Sequence, residues 1–271
     1  MKKIILHLGP PKTGTTTIQE ILTNELSNNY LGNLSNNTTL TEKMISYIKG
    51  DLKANLKEIK SEIESLYLNS ESSLIYSDER VLLEYTTFSN WNTQLRKLFD
   101  IFRFDNIALE VVLCLRNPKD ALPSLFQQLR NIKWISKLSL SEFLTTRQAS
   151  IFNYNVLEKE LINSGFSNIS YYNFEILKDK QLDLSLFGIN YFVPLKEVRN
   201  KSKIVNSNRV YNYTAADVFR RNFGAFSSLV PVKFKIIIAK KLNFKIKSEG
   251  VKTSTTLIPS EFIEAYNSKI V

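Results

Sequence analysis

One run near the start of the chain combines glycine, lysine and threonine in a pattern suited to phosphate binding. It spans residues 9–17 and reads GPPKTGTTT. A loop of this kind before a helix directs several backbone N–H groups, and the positive end of the helix dipole, toward one point. Lys12 is the only lysine in the run and can add a full positive charge there. The run therefore predicts a phosphate-binding loop.

The loop differs from that of a nucleotide hydrolase in the position of its lysine. Gly9 and Gly14 have the spacing of G-x-x-x-x-G-K-[ST], but Thr15 occupies the lysine position. A lysine after the second glycine reaches the β- and γ-phosphates of a nucleotide, whereas Lys12 addresses the group attached to a terminal phosphate. This argues against an ordinary kinase or ATPase. A P-loop kinase or nucleotide hydrolase with an atypical lysine remains the alternative.

Charged residues also follow two further predicted strands. Asp78-Glu79-Arg80 comes directly after the apolar run 73–77, and Arg116 comes directly after the apolar run 109–115. In an open parallel sheet, ligands gather at the carboxyl ends of the strands. We therefore expect these side chains to face the same crevice as the phosphate-binding loop.

Hydrophobic periodicity predicts the elements that position these residues. Residues 4–8 form a buried strand that Gly9-Pro10-Pro11 ends, and the apolar positions 18, 21, 22 and 26 predict the helix that follows. Further strands are predicted at 73–77, 109–115 and 168–174, with an amphipathic helix over 52–66. The polar run 28–41 is typical of a surface loop. The pattern is that of an α/β protein with a parallel sheet.

Two of these segments together resemble a known family. Residues 11–16, PKTGTT, closely resemble the 5′-phosphosulfate-binding loop of the sulfotransferases that use PAPS (3′-phosphoadenosine 5′-phosphosulfate). Arg116 at a strand end, with Ser124 eight residues later on the next helix, resembles their second motif, which holds the 3′-phosphate of the cofactor. The chain is most similar to bacterial, carbohydrate-type members. The resemblance implies a P-loop-like three-layer fold, in which helices flank the central parallel sheet.

The resemblance also implies roles for individual residues. Lys12 would stabilise charge on the leaving 5′-phosphate, and Glu79 would be the base, with Asp78 as the alternative. Arg80 would lower the pKa of a neighbouring carboxyl group unless it binds an anionic acceptor instead. His7, the single histidine, is assigned a structural or supporting role. The implied cofactor-binding residues are Pro11, Lys12, Thr13, Gly14, Thr15, Thr16, Thr17, Arg116 and Ser124.

The implied reaction is transfer of a sulfuryl group from PAPS to a hydroxyl group, most readily of a glycan. PAP is the product, and the transfer requires no metal ion. The resemblance extends over residues 1–271 as a single domain, with a variable helical or lid-like C-terminal part from about residue 198.

Composition limits the partners without choosing among them. The 271 residues are 43% hydrophobic and 23% charged, which is typical of a globular protein, and the formal net charge is +10. Such a charge favours anionic partners. Cys114 is the single cysteine, so no intramolecular disulfide can form. The apolar start is too short for a signal peptide, and we therefore expect a cytoplasmic protein.

Two basic segments in the last third of the chain allow more than one interpretation. Arg199 and Lys201 lie where sulfotransferases carry a late basic loop over the cofactor, but they lack its Arg-Lys-Gly form. Residues 232–247 contain six lysines among apolar residues, from Lys233 to Lys247. This segment could contact an anionic glycan or a membrane surface. Alternatively, it forms a basic face that is exposed to solvent. A non-catalytic polyanion binder is a further alternative, although no nucleic-acid motif is recognised, and nucleic acid is not an expected partner.

Overall fold

The computed structural model describes residues 2–26, 29–32, 38–51, 54–83, 90–130, 132, 134–178, 181–189, 192–194 and 257–270. Its centre is a five-stranded sheet in the order β2-β3-β1-β4-β5, in which every pair of neighbouring strands is parallel. The five strands are β1 (Lys3–Leu8), β2 (Tyr30–Gly32), β3 (Leu74–Ser77), β4 (Ala108–Leu115) and β5 (Ile169–Asn173). The parallel sheet predicted from the sequence is confirmed.

Helices connect the strands, as parallel pairing requires. The described helices are α1 (Thr15–Leu26), α2 (Thr38–Lys49), α3 (Leu56–Asn69), α4 (Trp91–Phe102), α5 (Pro118–Leu129), α6 (Leu140–Leu144), α7 (Arg147–Ser150), α8 (Tyr154–Asn163) and α9 (Ser260–Asn267). Three 3-10 turns bear on the site, at Glu79–Val81, Phe174–Lys178 and Ser185–Phe187. A small antiparallel pair, β6 (Gln181–Asp183) and β7 (Phe192–Pro194), follows β5.

The sheet is covered on both faces. Successive side chains of a strand point to opposite sides, so each strand contributes residues to two cores. Ile4, Leu6 and Leu8 of β1 belong to the larger core with α2, α3, α4 and α5. Ile5 belongs to a second core, together with Ile18 and other residues of α1 and the segments after β5. The predicted three-layer arrangement is confirmed.

One sequence prediction about the fold is wrong. The run 28–41 was expected to be a surface loop, but Tyr30, Leu31 and Gly32 form β2 at the edge of the sheet and are all buried. Helix α2 then begins at Thr38. A three-residue strand is too short to show periodicity, and this one depends on pairing with β3, which is distant in sequence. The helix predicted over 52–66 begins later, at Leu56, where the Asn55 side chain caps it.

The C-terminal helix α9 packs against α8 and α5. Arg199, Lys201 and the lysine-rich segment 232–247 lie outside the described residues, so their interpretations stay predictions. Among the helices that are described, none is both long and apolar enough to cross a membrane.

Candidate active site

The loop between β1 and α1 is held in an unusual backbone conformation. Gly14 has a φ of 80° and Lys12 a φ of 73°, both in the left-handed region. For a residue with a side chain this conformation costs roughly 1–2 kcal/mol. The backbone N–H and the Oγ1 of Thr13 both donate to the Pro10 carbonyl, at 3.3 and 2.7 Å, and so fix the turn. Such strain is concentrated at functional sites.

The two glycines of the loop are required by close packing. A Cβ atom at Gly9 would lie 2.5 Å from Oγ1 of Thr13, and one at Gly14 would lie 2.2 Å from the Leu177 side chain. The thiol of Cys114, on β4, donates to the Thr13 carbonyl at 2.9 Å. Burial raises the pKa of this thiol to about 12, so it stays protonated. The loop is therefore anchored to the carboxyl end of β4.

Helix α1 starts directly after the loop, and the N–H groups of its first residues are not used by the helix itself. Its own hydrogen bonds begin with the N–H groups of Thr17 and Ile18, which donate to the Gly14 carbonyl at 3.0 and 3.3 Å. The N–H groups of Thr15 and Thr16 come before these bonds and lack an acceptor one turn back. This arrangement, with the exposed Thr16 side chain beside it, can hold an anion.

Arg116 joins the second motif to the loop. It follows β4 and donates from a terminal nitrogen, Nη1, to the Lys12 carbonyl at 2.6 Å. Its guanidinium group lies 4.5 Å from the centre of the Phe174 ring, a distance typical of a cation–π contact. The half-buried side chain is thus fixed beside the loop, with its charge close to the strained residue.

Glu79 reaches the same loop from the end of β3. Oγ1 of Thr15 donates to a carboxylate oxygen of Glu79 at 3.1 Å. Burial lowers the pKa of Lys12, and the charge of Arg116 lowers it further, while the charge of Glu79 opposes both effects. Glu79 and Arg116 therefore both lie within electrostatic range of Lys12.

Asp78 is engaged elsewhere, although it is adjacent to Glu79 in sequence. Its fully buried carboxylate accepts hydrogen bonds from the Arg80 backbone N–H at 2.9 Å and from the Arg80 guanidinium at 2.7–3.1 Å. Arg80 also donates to Glu42 on α2, at 2.8 Å. Arg80, which follows Asp78 and Glu79 in sequence, thus pairs with Asp78 and Glu42.

A buried polar cluster lies beneath the end of β3. Nδ1 of His7 is 2.8 Å from the Ser77 hydroxyl, and the Gln19 amide donates to the same hydroxyl at 3.2 Å. The Tyr30 hydroxyl donates to the Ser77 carbonyl at 3.3 Å. The cluster ties β1, α1 and β2 to the strand end that carries Glu79.

The remaining predicted residues lie on the loop, on helix α1 and on helix α5. Pro11 and Thr17 are buried, and Ser124 is half-buried on α5, two turns after Pro118. Pro118 occupies the start of α5, as predicted, and the Asn117 side chain caps this helix. The elements carrying all the predicted residues thus follow the carboxyl ends of β1, β3 and β4.

Two residues beside Arg116 were not selected from the sequence. Phe174 follows β5 directly, so a search of every strand end for aromatic residues would have found it. Tyr154 bonds to the Arg116 backbone from α8, at 2.8 and 2.9 Å. Its position in the helical pattern predicts a core residue, and no local pattern indicates this long-range contact.

Comparison with known proteins agrees with this geometry. The family model for the sulfotransferase domain matches residues 2–199, about three quarters of the chain. A search of the curated proteins found no match. The match includes the loop, Glu79, Arg116 and Phe174, and it ends before α9.

Proposed function

Because the chain belongs to the sulfotransferase family and is therefore a transferase of sulfuryl groups, we propose that its donor is PAPS and its acceptor a carbohydrate hydroxyl group. The observation that carries the proposal is the convergence of Lys12, Glu79 and Arg116 on one strained loop. The choice of a carbohydrate rests on the resemblance to bacterial enzymes and on no single residue.

The loop and Arg116 fit a nucleotide with phosphate groups at both ends of its ribose. The start of α1 offers N–H groups to the 5′-phosphosulfate. Arg116 carries a planar set of donors that matches a 3′-phosphate, and Ser124 supplies a hydroxyl group from α5. Arg116 and Ser124 together distinguish PAP from ADP, which lacks the 3′-phosphate.

Lys12 acts on the leaving group. As the acceptor oxygen bonds to sulfur, the bond from sulfur to the bridging oxygen breaks, and its electron pair stays on the 5′-phosphate. The Lys12 ammonium group stabilises the charge that develops there, together with the N–H groups of the helix start. Its lowered pKa reflects a partly desolvated site, in which such a charge acts more strongly.

Glu79 accepts the proton of the acceptor hydroxyl group. Of the two adjacent acids, it is the one that contacts the loop, through Thr15. Asp78 is buried, and both of its carboxylate oxygens accept hydrogen bonds from the Arg80 guanidinium, which blocks access to them. Arg80 pairs with Asp78 and Glu42, so it supports the strand end and leaves Glu79 available as the base.

Release of PAP from PAPS, measured over a panel of saccharides with a chelator present, tests the proposal. We expect release that depends on one class of saccharide and persists without divalent metal ions. Glu79→Gln should abolish this release while PAP still binds. Glu42→Gln, the same change on the exposed partner of Arg80, is the matched control and should retain activity. Equal losses in both variants would contradict the assignment of the base.

A further inference from the structure

The hydroxyl group of Tyr154 holds both sides of the Arg116 backbone. It accepts a hydrogen bond from the Arg116 N–H at 2.9 Å and donates one to the Arg116 carbonyl at 2.8 Å. The side chain is fully buried at the start of α8, and burial raises the pKa of its hydroxyl group well above the usual range. It therefore stays protonated and able to donate. A single side chain thus satisfies both backbone polar groups of the residue that follows β4.

A second set of contacts places the Arg116 side chain. The guanidinium group lies against the Phe174 ring and donates to the Lys12 carbonyl. Phe174 begins a 3-10 turn in which the Asn173 side chain accepts from the Glu175 N–H at 3.0 Å. The turn therefore fixes the surface on which the guanidinium lies.

Helix α9 contacts both Tyr154 and Asn173, which belong to the two sets of contacts. The rings of Tyr154 and Tyr266 are 6.2 Å apart, and the Tyr266 hydroxyl lies 3.5 Å from Oδ1 of Asn173. The helix is also held at its end, where Lys269 pairs with Glu158 of α8. Tyr266 is buried against α8, although it lies outside the part of the chain that matches the family.

We propose that Tyr154, supported by Tyr266 of the C-terminal helix, is a positioning residue that orients Arg116 toward the 3′-phosphate of the donor. It touches no part of the donor itself and acts through the Arg116 backbone. This inference rests on the proposed function, because it needs a 3′-phosphate for Arg116 to bind. It adds that the preference for PAP over ADP depends on residues distant in sequence from the phosphate-binding loop.

The test compares the affinities of Tyr154→Phe for PAP and for ADP, measured by calorimetry. Removing the hydroxyl group leaves both backbone groups of Arg116 without their partner, so the preference for PAP over ADP should fall by about five- to twentyfold. Tyr171→Phe is the matched control. The Tyr171 hydroxyl group donates to Glu158 of the same helix α8, and not to Arg116. If Tyr154 has only a structural role, both variants should have a lower unfolding temperature. Each should then keep the preference of the unmodified protein for PAP over ADP.

A double-mutant cycle with Arg116→Ala tests whether Tyr154 acts through Arg116. Once Arg116→Ala has removed the guanidinium, adding Tyr154→Phe should change PAP affinity less than twofold. A full additional loss in the double variant, or an unchanged preference in Tyr154→Phe alone, would overturn the inference.

Two further outcomes separate this inference from the proposed function. If the unmodified protein does not prefer PAP to ADP, the proposed function fails, and the inference fails with it. If the preference is present, the variants alone decide the inference. Should Tyr154→Phe not fold, Tyr266→Leu alters the packing behind the Tyr154 ring and leaves its hydroxyl group in place. A severalfold lower preference is then expected, and an unchanged preference would overturn the role of α9.

Discussion

Acidification should destabilise the protein through its single histidine before the carboxyl groups titrate. His7 is completely buried, and burial lowers its pKa to about 3 from an ordinary value of 6.5. Among the described residues, Nε2 of His7 has no hydrogen-bond partner, and the ring packs edge-on against Phe187 at 5.4 Å. An added proton would therefore create a buried charge with an unpaired donor, which the folded state disfavours.

The direction and size of the effect follow from the two pKa values. Between pH 6.5 and about pH 3 the unfolded chain holds a proton that the folded protein lacks, so stability falls as the pH falls. Above pH 6.5 the imidazole is neutral in both states and contributes no pH dependence. From pH 7 to pH 5 the free energy of unfolding should decrease by about 2 kcal/mol from this group alone.

Urea unfolding at pH 7, 6 and 5 measures the effect, with His7→Asn as the control. Asparagine does not titrate, and its amide can still bond to the Ser77 hydroxyl. Carboxyl groups contribute equally to both proteins, so the difference between their pH profiles isolates the histidine. A decline of equal slope in the variant would refute a neutral, buried His7 and the polar cluster built around it.

Three further outcomes follow from contacts at the site. Lys12→Ala should lower kcat by about 10²- to 10³-fold, as loss of a transition-state donor does, and unchanged turnover in a PAP-release assay would remove the lysine from the mechanism. Gly14→Ala should impair folding or PAP binding, because the new Cβ would overlap the Leu177 side chain and the φ of 80° disfavours a residue with a side chain. Thermal unfolding and calorimetry measure both properties. A fully stable and active variant would contradict the loop conformation. Asp78→Asn should lower the free energy of unfolding by about 3 kcal/mol, because it leaves Arg80 beside an uncharged buried partner; an unchanged urea midpoint would exclude that ion pair.

The parts of the fold that depend on local pattern could be predicted from the sequence. The strand before Gly9 and the helix after Gly14 each carry their own periodicity and turn residues. The buried strand before Arg116 is nearly continuous in apolar residues, as expected for a strand covered on both faces. Because the strands are parallel, the loop and Arg116 both lie at the carboxyl ends of the strands.

The parts that depend on contacts distant in sequence could not be predicted. Strand β2 has three residues and is defined by its pairing with β3. The sequence left open which of Asp78 and Glu79 faces the loop, and the answer depends on Arg80 turning back and on Thr15 from another element. Tyr154 is 38 residues from Arg116 and reads locally as a core residue. Each of these features is decided by tertiary packing.

Calorimetric titration with PAP, ADP and ATP, each with and without Mg²⁺, distinguishes a site for PAP from a site for nucleoside triphosphates. PAP should bind tightly without metal ions and ADP far more weakly, because only PAP has a 3′-phosphate for Arg116 to bind. Binding of ATP that depends on Mg²⁺, with no preference for PAP, would contradict the account and favour a nucleotide kinase or hydrolase.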